Sequence, residues 1–140
     1  MGAFAARSIR AMPYSVAPMQ GLHLTADLHR CRCAAQRFTD APALLRTCLD
    51  RVRASSLRAV AQLAHAFDAM PGHVSGVTVT VLLAESHLCV HTWPEQRAAT
   101  LDVYVCNYSA DHSAKAHALI AWFEPEHIER HEIRRGNLEG

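Results

Sequence analysis

From Gly21 to Arg30 the chain alternates. Leu22, Leu24, Ala26 and Leu28 fall on one side, and His23, Thr25, Asp27 and His29 on the other. A period of two predicts a half-buried strand. Cys31 and Cys33 follow at its end. Over Thr39–Ala54 the spacing becomes helical, with Leu44, Leu45, Cys48, Leu49 and Val52 in one apolar stripe and Arg46, Asp50, Arg51 and Arg53 pointing elsewhere. Thr39 or Asp40 can cap this helix, and Pro42 is tolerated in its first turn. Leu57–Phe67 alternates again. Leu57, Ala59, Ala61, Leu63 and Phe67 are expected on one face, with a continued helix as the weaker competitor because alanine is frequent. Asp68–Ser75 is a loop broken by Pro71 and Gly72. Gly76–Ala84 and His87–Trp93 read as strands with a polar hinge, Glu85–Ser86, between them. Thr100–Cys106 is a further strand, with Leu101, Val103 and Val105 opposite Asp102, Tyr104 and Cys106. Ser113–Phe123 predicts a second helix, apolar along Ala116, Leu119, Ile120 and Phe123 and ended by Pro125. His127–Arg134 is a last short strand.

The order is therefore β-α-β-β-β-β-α-β. Short connections between successive strands favour antiparallel pairing. Two helices over one sheet face make an α+β two-layer sandwich. Residues 1–20 lack a period and contain Arg7, Arg10, Pro13 and Pro18, so they read as a mobile extension without the apolar core of a secretory signal. Residues 21–140 form a single domain.

Composition narrows the partners. With 14 Lys and Arg against 13 Asp and Glu, the charge is nearly balanced, and charged residues make up 19%. Such a surface offers neither nucleic acid nor a membrane an electrostatic footprint. No apolar run approaches the ~18 residues that span a bilayer. Five cysteines, an odd number, argue against a disulfide framework and for reduced thiols in a cytoplasmic protein.

The chemistry concentrates between Leu82 and Glu95, which reads LLAESHLCVHTWPE. A core strand has little reason to carry a hydroxyl, two imidazoles, an indole and two carboxylates so close together. Ten histidines make metal binding worth weighing. However, Cys31-x-Cys33, beside His23 and His29, lacks the usual zinc spacing and a matching second pair, and His127 and His131 lie among charges in a predicted strand. No metal is expected.

The run ESHLCVHTWPE resembles the self-cleaving segment of the small prokaryotic pyruvoyl-dependent S-adenosylmethionine decarboxylases. GVTVTVLLAESHLCVHTWPE and the later LDVYVC carry the likeness most specifically. HLTADLHRC is similar to the family's opening strand, and the resemblance extends over roughly residues 21–136. It implies that Ser86 attacks the Glu85 carbonyl, cleaves the chain into 1–85 and 86–140, and becomes a pyruvoyl group that forms a Schiff base with S-adenosylmethionine. It also implies roles for other residues. His91 would be the processing base, Thr78 a hydroxyl assisting processing, and Cys106 the proton donor to the decarboxylated substrate. Trp93 would stack on adenine, with Phe67 as a second stacking aromatic, and Glu95 would hold the ribose hydroxyls. Cys89 is assigned only a packing role. The product would be the aminopropyl donor for spermidine synthesis, and the enzyme a homodimer packed sheet against sheet.

Three departures bear on these implications. Val79 stands where many members have glycine, Gln96-Arg97-Ala98 replaces a segment often containing Tyr and Gly, and the 68–75 loop is altered. The first bears on processing; the others bear on substrate, so ornithine or arginine is the alternative, and an unprocessed binding or regulatory homologue is the second. Geometry adds a requirement. Ser86 and His91 are five positions apart, so an unbroken strand would aim them at opposite faces. The hinge would have to turn the chain for the two to meet.

Overall fold

A computed structural model of the chain describes residues 20–54, 57–84, 86–106 and 119–136. The six strands are β1 (Gly21–Cys31), β2 (Ala59–Ala66), β3 (Val77–Leu83), β4 (Ser86–Trp93), β5 (Ala98–Val105) and β6 (Pro125–Arg135). They form one sheet of order β2-β3-β4-β5-β1-β6 in which every neighbouring pair is antiparallel. Helix α1 (Ala41–Ala54) and a helical segment at 119–122, α2, cover one face. The α+β two-layer sandwich and its element order are as the patterning predicts. The expected mobile extension lies outside the described residues apart from Gln20, and so does the expected helical stretch 113–118.

Alternation decides which side chains meet the helices. Leu24, Ala26 and Leu28 of β1, Val77, Val79 and Val81 of β3, Leu88 and Val90 of β4, and Leu101 and Val105 of β5 are buried. They pack with Leu44, Cys48 and Val52 of α1 and with Leu119, Ile120 and Phe123. Phe38 and Phe123 meet at the centre, with ring centroids 5.9 Å apart. Asp40 is the cap of α1: its Oδ1 accepts the Ala43 N–H at 3.0 Å. That satisfies one of the donors a helix N-terminus leaves open.

Two elements depart from the sequence pattern. A register shift lies between Ala59 and Ala61 of β2. It sends Ala59, with Leu57 before it, towards the core. Leu63 and Phe67 remain on the other side, 69% and 53% exposed. The five residues expected on one face are therefore divided between two, because a bulge inserts an extra residue and breaks the period of two. The last strand is not short. β6 runs from Pro125 to Arg135 and pairs with β1 from Gly21↔Arg135 to Cys31↔Pro125.

The hydroxyl of Thr92 ties the layers together. It is buried, donates to the Phe38 carbonyl at 2.6 Å and accepts the Val77 N–H at 2.9 Å. Gly76 lies against the same residue: a Cβ there would stand 2.0 Å from the Thr92 carbonyl oxygen. Among the described residues no helix is long and apolar enough to cross a membrane.

Candidate active site

The face that no described helix covers carries the polar half of each strand. Cross-strand register aligns His65, Thr78, His91 and Thr100 in one row, and Leu63, Thr80, Cys89 and Asp102 in the next. Directly opposed residues project to the same side of a sheet. His91 is therefore flanked by Thr78, whose Oγ1 lies 2.8 Å from its Nδ1. Its other nitrogen, Nε2, lies 3.3 Å from the Cys89 sulfur.

Thr78 and His91 of this row line a cleft of ≈ 570 Å³ whose walls include Phe67, His73, Trp93 and Glu95. Trp93 ends β4 and is 44% exposed. Pro94 then starts a single 3₁₀ turn that presents Glu95 at the rim. Glu95 Oε1 accepts the His73 Nδ1–H at 2.9 Å and lies 3.4 Å from the Val74 amide. Phe67 reaches the cleft from the end of β2, in edge-to-face contact with His65 at 4.8 Å. Four of the residues singled out from the sequence, Thr78, His91, Trp93 and Glu95, thus meet in one depression, and Phe67 joins them.

Ser86 and Cys106 do not. Ser86 is the first residue of β4 and pairs with Leu83, so the chain reverses tightly between β3 and β4. Its hydroxyl donates to the Ala84 carbonyl at 3.3 Å. It alternates with Leu88, Val90 and Thr92 towards the helix layer and is only 9% exposed. β4 runs without a break from Ser86 to Trp93, so no turn re-aims His91 towards Ser86. At ~3.3 Å per residue, five positions also separate the two by about 16 Å along the strand. His87 pairs with Tyr104, which brings Cys106, exposed just beyond the end of β5, to the Ser86 end of the sheet. Within one chain the residues form two groups: the serine and one thiol at one end, the imidazole and the cleft at the other. Glu85 lies outside the described residues.

The departures from the family pattern have a structural setting. Arg97 has φ 49, a left-handed conformation that costs little for glycine and more for other residues. Here the arginine is held there by its own contacts. Its Nε donates to the Cys31 carbonyl at 2.8 Å, another guanidinium nitrogen reaches the Cys33 carbonyl, and its guanidinium lies 5.4 Å from the Phe38 ring centroid. Val79 is fully buried opposite Val90.

Several other cysteines and histidines have other occupations. Cys31, Cys33 and Cys48 are buried free thiols. Burial, reinforced by the neighbouring Cys33, pushes Cys31 up from 9.0 to about 11, and burial pushes Cys48 up to about 12. His23 bonds Asp102 at 3.1 Å, and the His29 and His127 rings are 5.7 Å apart. Among the described residues no three His, Cys, Asp or Glu side chains are grouped to hold a metal ion.

The family model described as S-adenosylmethionine decarboxylase matches residues 22–136. The chain belongs to that family. An S-adenosylmethionine decarboxylase proenzyme from Methanococcus maripaludis is 32% identical over 119 residues, which is 85% of this chain and 92% of the relative. One from Hydrogenobaculum is 32% identical over 120 residues, covering 85% of this chain and 84% of its own length. The crystal structure of the adenosylmethionine decarboxylase from Aquifex aeolicus superposes with a TM-score of 0.70 at 31% identity, covering 88% of this chain and 96% of that one. The family's name thus attaches to the sheet and to the cleft-bearing segment alike.

His73 of the cleft, and Cys89 beside His91, were not assigned a site role from sequence. His73 sits in the altered loop, and nothing in that loop's pattern announces a partner for Glu95. Cys89 was legible in principle, because alternation alone places it on the same face as His91.

Proposed function

We propose that this chain is a self-processing, pyruvoyl-dependent S-adenosylmethionine decarboxylase whose product serves as an aminopropyl donor for spermidine synthesis. The observation that carries the reading is the position of Ser86. It opens β4 directly after a tight reversal, and among the described residues its hydroxyl is committed to no other side chain, only to the Ala84 carbonyl. That hydroxyl is free to add to the carbonyl carbon of the peptide bond preceding it. Ester formation at Glu85, loss of the Ser86 α-proton and β-elimination then release the chain 1–85. Hydrolysis of the dehydroalanine on the chain 86–140 gives pyruvoyl and ammonia. A base that titrates near neutral pH suits the proton removal, and His91 is the imidazole held by two hydrogen-bonding partners. The pyruvoyl group supplies an electron sink for the pair left by departing carbon dioxide. This chain's residues do the rest. Trp93 and Phe67 offer aromatic faces to a purine, Glu95 offers a carboxylate to ribose hydroxyls, and Cys106 carries an exposed proton at the Ser86 end.

The distance between Ser86 and His91 supports a homodimer with the open sheet faces together. In such a pair, the His91 end of one copy can serve the Ser86 end of the other. Leu82, Trp93 and Ile133, all more than 40% exposed on the open face, supply apolar contact. Free thiols support a cytoplasmic location for the reaction, because they stay reduced there.

The test is the intact mass of the purified protein under denaturing conditions. The expected result is two chains divided between Glu85 and Ser86, the second blocked at its N-terminus, and one chain for Ser86→Ala. A single wild-type chain defeats the proposal and favours the binding-homologue reading. Carbon dioxide release is then expected from S-adenosylmethionine. Release from ornithine or arginine instead would reassign the substrate. Mixing Ser86→Ala with His91→Ala chains should restore cleavage if the two groups come from different copies; failure to do so removes the shared site.

A further inference from the structure

Four side chains on the open face form an unbroken line. Thr80 Oγ1 is 3.4 Å from Cys89 Sγ, and Cys89 Sγ is 3.3 Å from His91 Nε2. His91 Nδ1 is 2.8 Å from Thr78 Oγ1. The sheet builds this line. Thr80 faces Cys89, Thr78 faces His91, and Cys89 and His91 are two apart on one strand.

A neutral imidazole has one N–H and one lone pair. Here each nitrogen meets a group that can donate or accept. The two contacts are therefore linked: if Thr78 accepts the Nδ1–H, Nε2 must accept the thiol proton, and reversing one reverses the other. The ends are unequal. A hydroxyl at 2.8 Å is the stronger partner, and a thiol is a weak donor. Thr78 therefore anchors Nδ1, while Cys89 keeps the Nε2 lone pair oriented through a weak contact that breaks at little cost when the proton to be removed is presented.

We infer that Cys89 is a positioning residue for His91, fixing the ring's plane and tautomer so that Nε2 is the nitrogen that takes a proton. This rests on the reading of His91 as the processing base. Among the described residues, the other titratable groups around the pair do not compete for Nε2. On the same face, Asp102 of β5 stands opposite Cys89 but is bonded by His23, and His65 of β2 lies beyond Thr78 against Phe67. Thr100 of β5, directly opposite His91, does not titrate. Cys48 of α1, on the helix side of the sheet, is buried and keeps its proton.

The experiment has two arms. The first follows cleavage by intact mass for wild type, Cys89→Ala and Cys89→Ser between about pH 5.5 and 8.5, the range over which an imidazole titrates. Cys89→Ala is expected to slow cleavage roughly tenfold, a part of the 10²–10⁴ that a positioned base supplies. Its pH midpoint should also move, and Cys89→Ser, which restores a donor, should recover most of the rate. The second arm needs no activity. In full-length Ser86→Ala protein, the ring ¹⁵N shifts of His91 report the tautomer, and adding Cys89→Ala should change the tautomer ratio. An unchanged ratio overturns the inference whatever the rates show. So does a Cys89→Ala chain that cleaves at the wild-type rate with an unmoved pH profile. If wild type fails to cleave at all, the functional reading falls separately, and the ¹⁵N arm alone decides the link between Cys89 and His91. Should Cys89→Ala fail to fold, Cys89→Ser carries both arms, with a small shift expected in each and no shift overturning the inference.

Discussion

Replacing Thr92 with valine tests whether a single buried hydroxyl couples the helix layer to the strand that bears the cleft. The two side chains have nearly the same shape, so little repacking is required. What is lost is the donor to the Phe38 carbonyl and the acceptor for the Val77 amide, both at residues about 1% exposed. Each buried polar group left without its partner costs about 1–3 kcal/mol. The added methyl group returns up to ~0.8 kcal/mol. The net expectation is a loss of about 1–5 kcal/mol, a large share of the ~5–15 kcal/mol that a domain typically has. Thr92→Ser keeps the hydroxyl and should lose only about 1 kcal/mol, the transfer energy of one methyl group. The assay is urea unfolding of both variants in a Ser86→Ala background, which keeps one polypeptide, at one protein concentration, because association would otherwise shift the midpoint. Tryptophan fluorescence is a suitable signal. With a urea slope of ~1–3 kcal/mol per molar, Thr92→Val should lower the midpoint by about 0.5–2.5 M without changing the slope. A Thr92→Val midpoint within ~0.3 M of the parent, or a Thr92→Ser variant equally weakened, would refute the coupling.

Three further perturbations follow from the same structure. His73→Ala removes the group that holds Glu95 at 2.9 Å; KM for substrate should rise about 3–10-fold with kcat little changed, as when binding shared by ground and transition states is lost, and an unchanged KM would detach His73 from the site. Gly76→Ala drives a methyl group into the Thr92 carbonyl, which is backbone and cannot swing aside; about 1–3 kcal/mol of stability should be lost, checked by the same unfolding assay, and a fully stable variant would contradict that close approach. Alkaline pH should also weaken the fold. Cys31 and Cys48 hold their protons up to about 11 and about 12 in the folded chain, against 9.0 ordinarily. Between those values the unfolded chain has lost protons that the folded chain keeps, so stability is complete below pH 9 and falls as pH rises, by up to ~1.4 kcal/mol per pH unit for each thiol. A urea midpoint flat from about pH 8 to 10.5 would show that these thiols ionise normally.

Much of the fold was legible because one face of the sheet is dry. Where a strand is buried on one side only, as in Leu22–Leu28 and Val77–Leu83, apolar residues must recur every second position, and the pattern can be read directly. β2 was harder. It lies at the sheet edge and is mostly exposed, so little selects its face, and the bulge at Ala59–Ala61 has no sequence mark. The full length of β6 is hidden because Glu126–Arg135 is exposed and mostly polar: its pairing comes from the backbone, and Ile128 and Ile133, five positions apart, give no alternation to read. The cleft was legible through Thr78, His91, Trp93 and Glu95, whose types and order carry the family's likeness. The parity of Ser86 and His91 was equally visible, but whether the strand would turn between them was not, since that depends on register with β3 and β5. His73 was invisible, because a loop has no period to say where its side chains point.

The order β2-β3-β4-β5-β1-β6 gives the proposed scission an unusual geometry. A break between residues 85 and 86 leaves β1 to β3 on one product and β4 to β6 on the other. The first strand of the N-terminal product then lies wedged between the last two strands of its partner, hydrogen-bonded to both. The two pieces are interdigitated rather than merely adjacent, and parting them means stripping β1 from both sides while also unzipping β3 from β4. Before scission, the ends of this arrangement find one another within a single molecule. Afterwards, two separate molecules would have to meet and thread together, a step whose rate depends on concentration. The intact precursor is thus the species able to assemble on its own, and a mature enzyme once unfolded should recover far more slowly when diluted.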